Sequence, residues 1–278
     1  MDKTQSNPDA KTLRRLVSRF LSDDSRLKEP LLTALRRLTD RGLDGVIFGG
    51  ALRDLMVNGA STGPRDVDVV VDGASVADLA KVFHDVVVRK TRFGGLHLNV
   101  SGWLIDVWPL PETWALKELS IVGKDFESLT RTTFLNVEAV TIDLAVRRGV
   151  RRVYSSGFFE AVKSRTLDIN LEENPFPELA AVRALITASK LRYNLSKRLA
   201  RYVVYYTHRT PLEQLVDIQF NHYGLVKCDK DLLHKWSVAI GEQIGTHPVI
   251  KVPFVESIQL HLWNDPAHAA TRQASARS

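Results

Sequence analysis

The run Asp66-Val67-Asp68-Val69-Val70-Val71 restricts this chain more tightly than any other segment. It reads as a β-strand, in which successive side chains point to opposite faces. Asp66 and Asp68 then project from the same side. Two carboxylates held side by side repel each other unless a cation sits between them. Mg²⁺ accepts such hard oxygen ligands and keeps room for phosphate oxygens. Shortly upstream, Gly49-Gly50 ends the apolar run Val46-Ile47-Phe48 and opens a predicted helix. Without Cβ atoms the backbone there can approach a phosphate, and the N–H groups of a helix start favour an anion. A phosphate cradle beside a divalent-metal clamp points to nucleotidyl transfer.

A two-metal clamp needs a third acid, because metals about 3.5–4 Å apart must both be held as the attacking oxygen and leaving phosphate pass between them. Asp106 is the candidate: it interrupts the strand-like run Leu104-Ile105-Asp106-Val107-Trp108. If that strand pairs beside Asp66 and Asp68, the three acids converge. Asp66 and Asp68 would then hold the metal on the triphosphate. Asp106 would help hold the second and accept the proton of an attacking hydroxyl. Standing alone, Asp-x-Asp after Gly63-Pro64 would read as a turn, and Asp106 as a strand-end charge; the glycine pair upstream tips the balance. Asp54 suits the positive end of its helix. Arg53 either contacts phosphate or pairs with a neighbouring acid.

Predicted elements place these motifs. Two N-terminal helices carry Leu13, Leu16, Val17 and Phe20, then Leu31, Leu32, Leu35 and Leu38, at helical spacing. An α/β stretch follows: strand 44–48, helix 50–57, strand 66–72 and helix 75–84, then strands near 86–91, 96–100 and 103–108. Strands at 138–146 and 151–154 bracket Arg147-Arg148-Gly149 as a hairpin turn. After about Asn174 the pattern turns helical, with Leu179, Val182, Leu185 and Ile186 as a stripe and further helices at 196–207, 211–222, 229–244 and 252–262. The expected fold class is α+β, a mixed β-sheet flanked by helices and followed by an all-helical C-terminal domain. The corresponding divisions are 1–40 for the N-terminal helices, 41–172 for the catalytic head, 173–263 for a helical domain and 264–278 for a disordered tail.

With 278 residues the chain has ample length for a buried core. Its 38 Lys plus Arg exceed 32 Asp plus Glu, a basic balance that suits a polyanionic partner. Cys228 is the one cysteine, which excludes an intrachain disulfide and fits a reducing compartment. A polar N-terminus without the apolar core of a signal peptide, and no long apolar run, give a cytoplasmic expectation without membrane contact. The eight histidines show no metal-ligand spacing. Arginine clusters at 147–152 and at Lys190, Arg192, Lys197 and Arg198 read equally as RNA-tracking or solvated faces. Tyr202, Tyr205 and Tyr206 read more readily as core than as base-stacking residues.

Taken together, these residues resemble the head domain of the poly(A) polymerase and CCA-adding tRNA nucleotidyltransferase family, within the DNA polymerase β-like superfamily. The family's Gly-Gly-x-x-Arg-Asp followed by Asp-x-Asp stands here as Gly49-Gly50-Ala51-Leu52-Arg53-Asp54 and Asp66-Val67-Asp68. Arg92-Phe93-Gly94-Gly95 with Asp106 looks like its turn and third acidic strand, and Arg183 is similar to the arginine of its neck helix. The resemblance spans roughly 44–200. It implies a nucleotidyltransferase head, a two-metal Mg²⁺ site on Asp66, Asp68 and Asp106, and nucleotide contacts from Gly49, Gly50, Arg53, Arg131, Asn174 and Arg183. It also implies an NTP substrate and an RNA acceptor, tRNA foremost.

The chain departs from the family at two places. Arg131-Thr132-Thr133-Phe134 stands for Arg-Arg-Asp-Phe, and Glu173-Asn174-Pro175-Phe176-Pro177 stands for Glu-Asp-x-x-Arg. An amide replaces the carboxylate, and proline the guanidinium, that would read the incoming base. With the long helical body and tail also missing, CCA addition proper is not expected. Transfer to a small molecule or protein, or a degenerate nucleotide-binding regulator, stand as rivals.

Overall fold

A computed structural model describes residues 8–22, 25–60, 64 and 66–253, and the chain divides into two compact units, one ending at Asn174 and one starting at Pro175. The expected helix at 252–262 and the tail from Asn264 lie outside the described residues, apart from Lys251–Pro253 leading into them.

The first unit opens with α1 (Ala10–Leu21) and α2 (Glu29–Thr39). The Asp9 side chain caps α1 by accepting from the Thr12 N–H at 2.7 Å, satisfying one of the donors a helix start leaves unpaired. Leu13, Val17 and Phe20 recur at i, i+4 and i+7 and are fully buried. Next come β1 (Asp44–Phe48), α3 (Gly50–Asn58), β2 (Asp66–Asp72) and α4 (Val76–Val82). A capping box between Ser75 and Asp78 starts α4. Then follow β3 (Val87–Lys90), β4 (Leu96–Val100), β5 (Trp103–Pro109), α5 (Trp114–Glu118) and α6 (Phe126–Leu129). The unit closes with β6 (Val140–Asp143), β7 (Val153–Ser155), α7 (Phe158–Ser164) and the short β8 (Thr166–Leu167).

Seven strands form one mixed sheet in the order β3-β4-β5-β2-β1-β6-β7. The β2–β5 pair is parallel and the other neighbours are antiparallel. A parallel pair needs a crossover, and α4, β3 and β4 supply it. One face carries Ile47, Val67, Val69, Leu96, Leu98, Ile105 and Val107 into a core shared with α1, α2, α3 and α4. On the other face Val46 and Val70 pack with Leu110, Leu116, Phe126 and Leu129, so the α5–α6 segment roofs part of it.

The strand at β6 is shorter than the expected 138–146. Asn136–Glu138 forms a 3₁₀ turn instead, fixed by Asn136, whose N–H donates to the Asp168 carbonyl while its side-chain oxygen accepts from the Asp168 N–H. Beyond Asp143 the chain enters the Arg147–Val150 hairpin turn, where Arg148 and Gly149 both adopt positive φ, 50° and 80°. That is the pairing a two-residue turn needs to match strand twist.

The second unit contains α8 (Pro177–Leu191), β9 (Asn194–Ser196), α9 (Lys197–Arg209), α10 (Leu212–Tyr223), α11 (Lys230–Ile244) and β10 (Val249–Ile250). It is helical apart from the β9–β10 antiparallel pair. Fully buried Gln219 pins the α10–α11 connection: its amide donates to the Cys228 carbonyl, and its oxygen accepts from the N–H groups of Lys227 and Cys228. Burial pushes the Cys228 thiol up to about 12, so it packs as an inert apolar group. Among the described residues no helix is long and apolar enough to cross a membrane.

The β3–β4 turn is tight at Gly95, where an added Cβ would lie 2.9 Å from Trp108 Cβ and 3.1 Å from the Val107 carbonyl oxygen. Neither atom is the end of a flexible chain. Gly95→Ala is expected to lower stability by about 1–3 kcal/mol in urea unfolding; a change within about 0.5 kcal/mol would contradict this packing.

Candidate active site

The site is built by register. Along β2, Asp66 and Asp68 share a face with Val70, opposite the buried Val67 and Val69. In the parallel β2–β5 ladder Asp66 pairs with Leu104 and Asp68 with Asp106. Paired residues on neighbouring strands lie on the same face, about 4.8 Å apart. The backbone therefore sets Asp68 and Asp106 side by side, with Asp66 about 7 Å further along its strand.

The same register runs across most of the sheet. Asp106 pairs with His97 on β4, Asp68 with Phe48 on β1, Phe48 with Thr141 on β6, and Thr141 with Tyr154 on β7. One cross-strand row thus reads His97, Asp106, Asp68, Phe48, Thr141, Tyr154. His97 Nδ1 lies 2.6 Å from Asp106 Oδ1, with the side chains 21% and 44% exposed. Linear spacing gives no sign of His97; its place follows from the pairing of β4 with β5. Beside the acids Phe48 meets Trp108 edge to face at 6.1 Å, and Trp108 Nε1 donates to Thr113 Oγ1 at 3.0 Å.

The glycine pair stands at the acid end of the sheet, since Phe48, opposite Asp68, is the last residue of β1. Gly49 adopts φ 68° and ψ −122°, a conformation open essentially to glycine alone. Its N–H donates to the Val140 carbonyl at 3.0 Å. The first-turn amides that remain to face an anion are those of Gly50 and Ala51 at the start of α3. At Gly50 the Arg53 guanidinium lies closest, and an added Cβ would meet its Nη2 at 3.5 Å.

Arg53 lies in an ion-pair cluster. Its Nε donates to Asp54 Oδ1 at 2.8 Å and its Nη1 to Glu138 Oε1 at 2.5 Å, with side chains 11%, 15% and 11% exposed. The expected pairing of Arg53 with neighbouring acids is formed. The cluster ties the first turn of α3 to the segment entering β6. Arg131 sits in a 3₁₀ turn following α6, and its guanidinium donates to the Val122 carbonyl at 2.7 Å. In this divergent segment Asn170 donates to the Thr130 carbonyl, the Thr133 carbonyl and Thr133 Oγ1, at 2.9–3.2 Å. Asn174 ends the first unit, whereas Arg183 is exposed on α8 of the second.

Three carboxylates on one face of adjoining strands are a hard-oxygen donor set of the kind Mg²⁺ takes. As the side chains stand, no three His, Cys, Asp or Glu groups among the described residues are arranged to hold a metal ion. The Asp106 carboxylate turns toward His97.

A mixed sheet with an acid pair on its central parallel strands, next to a glycine-started helix, is similar in fold to solved tRNA nucleotidyltransferase structures. The Thermotoga maritima CCA-adding enzyme complexed with tRNA matches 82% of this chain with a TM-score of 0.56 and 16% identity, over 54% of its own length. A tRNA nucleotidyltransferase complexed with a primer tRNA and an incoming ATP analogue matches 76% of this chain, with a TM-score of 0.53 and 18% identity, over 61% of its own length. The Bacillus stearothermophilus CCA-adding enzyme in complex with CTP matches 69%, with a TM-score of 0.51 and 18% identity, over 47% of its length. The chain thus spans about half the length of these structures. No protein-family model and no curated protein matches it.

Removing Arg53 would take an ion-pair partner from both Glu138 and Asp54, which are nearly buried. Arg53→Ala is expected to cost about 3 kcal/mol in urea unfolding, and Arg53→Lys less. A loss below about 1 kcal/mol would show that the cluster behaves as a solvated surface pair.

Proposed function

We propose that this chain is a metal-dependent nucleotidyltransferase that moves a nucleoside monophosphate from an NTP to a hydroxyl, foremost the 3′ end of an RNA such as tRNA. The observation that carries the reading is the register of β2 and β5, which sets Asp68 beside Asp106 on the face that Asp66 shares. The acceptor oxygen forms a bond to the α-phosphorus, the bond from that phosphorus to the bridging oxygen breaks, and pyrophosphate leaves. A divalent cation held by Asp66, Asp68 and Asp106 would neutralise the triphosphate and raise the acidity of the hydroxyl.

The remaining work falls to the chain itself. Asp106 would take the hydroxyl proton. The Gly50 and Ala51 amides would orient the leaving phosphates at the start of α3, where the helix favours negative charge. Arg131 lies on the α6 segment that roofs the acid-bearing face, and its guanidinium would reach the nucleotide only by leaving the Val122 carbonyl. Asn174 and Arg183 are retained as nucleotide contacts on the resemblance alone. His97 fixes the direction of the Asp106 carboxylate and acts as a positioning residue.

A second reading changes the acceptor to a small molecule or a protein side chain. It is favoured by the Thr132-Thr133 and Asn174-Pro175 departures, which remove groups that would select C or A.

With Mg²⁺ and each labelled NTP, the purified protein is expected to extend cellular RNA. Asp66→Ala and Asp68→Ala should each lower the rate by about 100-fold or more, and persistence of activity in either would remove the assignment. Label that resists ribonuclease and travels with protein or a small metabolite would select the second reading. His97→Ala is expected to reduce kcat about tenfold with an unchanged melting temperature, and His97→Asn to restore part of it. Equal rates in His97→Ala and wild type would deny His97 its role.

A further inference from the structure

The charge of this chain is unevenly divided. Residues 1–174 hold 25 Lys plus Arg against 24 Asp plus Glu, whereas residues 175–253 hold 11 against 6. Nearly all the basic excess therefore belongs to the helical unit, and α9 is its most one-sided element. Its 13 residues, Lys-Arg-Leu-Ala-Arg-Tyr-Val-Val-Tyr-Tyr-Thr-His-Arg, include four Lys or Arg and no acid.

The helix sorts these residues by face. Leu199, Ala200, Val203 and Thr207 are buried, while Arg198, Arg201, Tyr205, His208 and Arg209 are exposed. At 100° per residue the exposed set falls within an arc of about 100°, running about 16 Å along the axis. Tyr205, at 51% exposure, is a large aromatic ring left in water in the middle of a cationic stripe. It is held in place: Arg209 donates to its hydroxyl and lies 5.7 Å from its ring centroid, and Tyr206 meets it edge-on at 4.9 Å. A fixed aromatic face between guanidinium groups is what single-stranded nucleic acid uses, with phosphates on the cations and a base on the ring.

We infer that the exposed face of α9 docks single-stranded RNA, with Arg198, Arg201 and Arg209 along the phosphates and Tyr205 stacking on a base. This rests on the proposed RNA acceptor and adds where that RNA is gripped. Guanidinium pairs with phosphate oxygens in a planar fork, which makes arginine the fitting cation for this partner. Recognition of this kind is indifferent to sequence, since every base has a π-face.

The test reads binding and not transfer. The full chain is titrated onto a fluorescein-labelled, mixed-sequence RNA of about 20 nucleotides, long enough for one such groove, across about 50–200 mM salt. The Arg201→Gln/Arg209→Gln double variant is expected to bind about tenfold more weakly, with a salt slope reduced by about 1.4, two phosphates at 0.7 each. Tyr205→Ala should weaken binding about 5- to 100-fold with the slope unchanged. Lys235→Gln, an exposed cation on α11, controls for general charge and should bind as wild type. Wild-type affinity in both α9 variants, or an equal loss in Lys235→Gln, overturns the inference. So does α9-dependent binding to phosphatidylserine vesicles without binding to RNA. Asp68→Ala separates the two claims, because it should lose transfer and keep RNA affinity. Transfer with normal binding in the α9 variants sinks this inference alone, and α9-dependent binding without any transfer sinks the catalytic reading alone.

Discussion

The parallel pairing of β2 with β5 is the constraint on which the rest depends. It is the parallel join in an otherwise antiparallel sheet, and its register puts Asp68 level with Asp106. A slip of one residue would turn Asp106 to the opposite face and into the apolar core, where an unpaired carboxylate is costly. Val67 and Val69 of β2 and Ile105 and Val107 of β5 are buried on that opposite face and oppose such a slip. The core that stabilises the fold thus also fixes the geometry of the acids.

Around that pair the chain arranges groups of opposite character. A glycine-started helix presents amides at one end of the strands. Arg53, bonded to Asp54 and Glu138, anchors that helix start. On the far flank His97 holds Asp106 by one oxygen. The helical unit carries most of the net basic excess, and α9 is its most one-sided element.

Much of this was legible in the residues. The alternation at 66–71 requires a strand, and the strands 44–48, 96–100 and 103–108 and helices α8 to α11 stand close to where their periodicity puts them. Four features were not legible. The helices α5 and α6 have five and four residues, too few for a helical repeat to show. The 3₁₀ turn at 136–138 depends on Asn136 meeting Asp168, a contact between distant segments. His97 belongs to the site through cross-strand register, whereas a search by linear spacing looks for His-x-x-x-His. Asp66, Asp68 and Asp106 were nameable because a strand's period carries its own geometry. Tyr205 was not, since helical spacing alone does not tell an exposed aromatic ring from a buried one.

The most direct test of the central claim is a crystal structure of the protein soaked with Mn²⁺ and a non-hydrolysable NTP, with the metal located by anomalous scattering. The account predicts a peak about 2.1 Å from carboxylate oxygens of both Asp68 and Asp106, with the triphosphate running toward Gly50. A bound nucleotide whose metal lies elsewhere, with neither Asp68 nor Asp106 among its ligands, would contradict it.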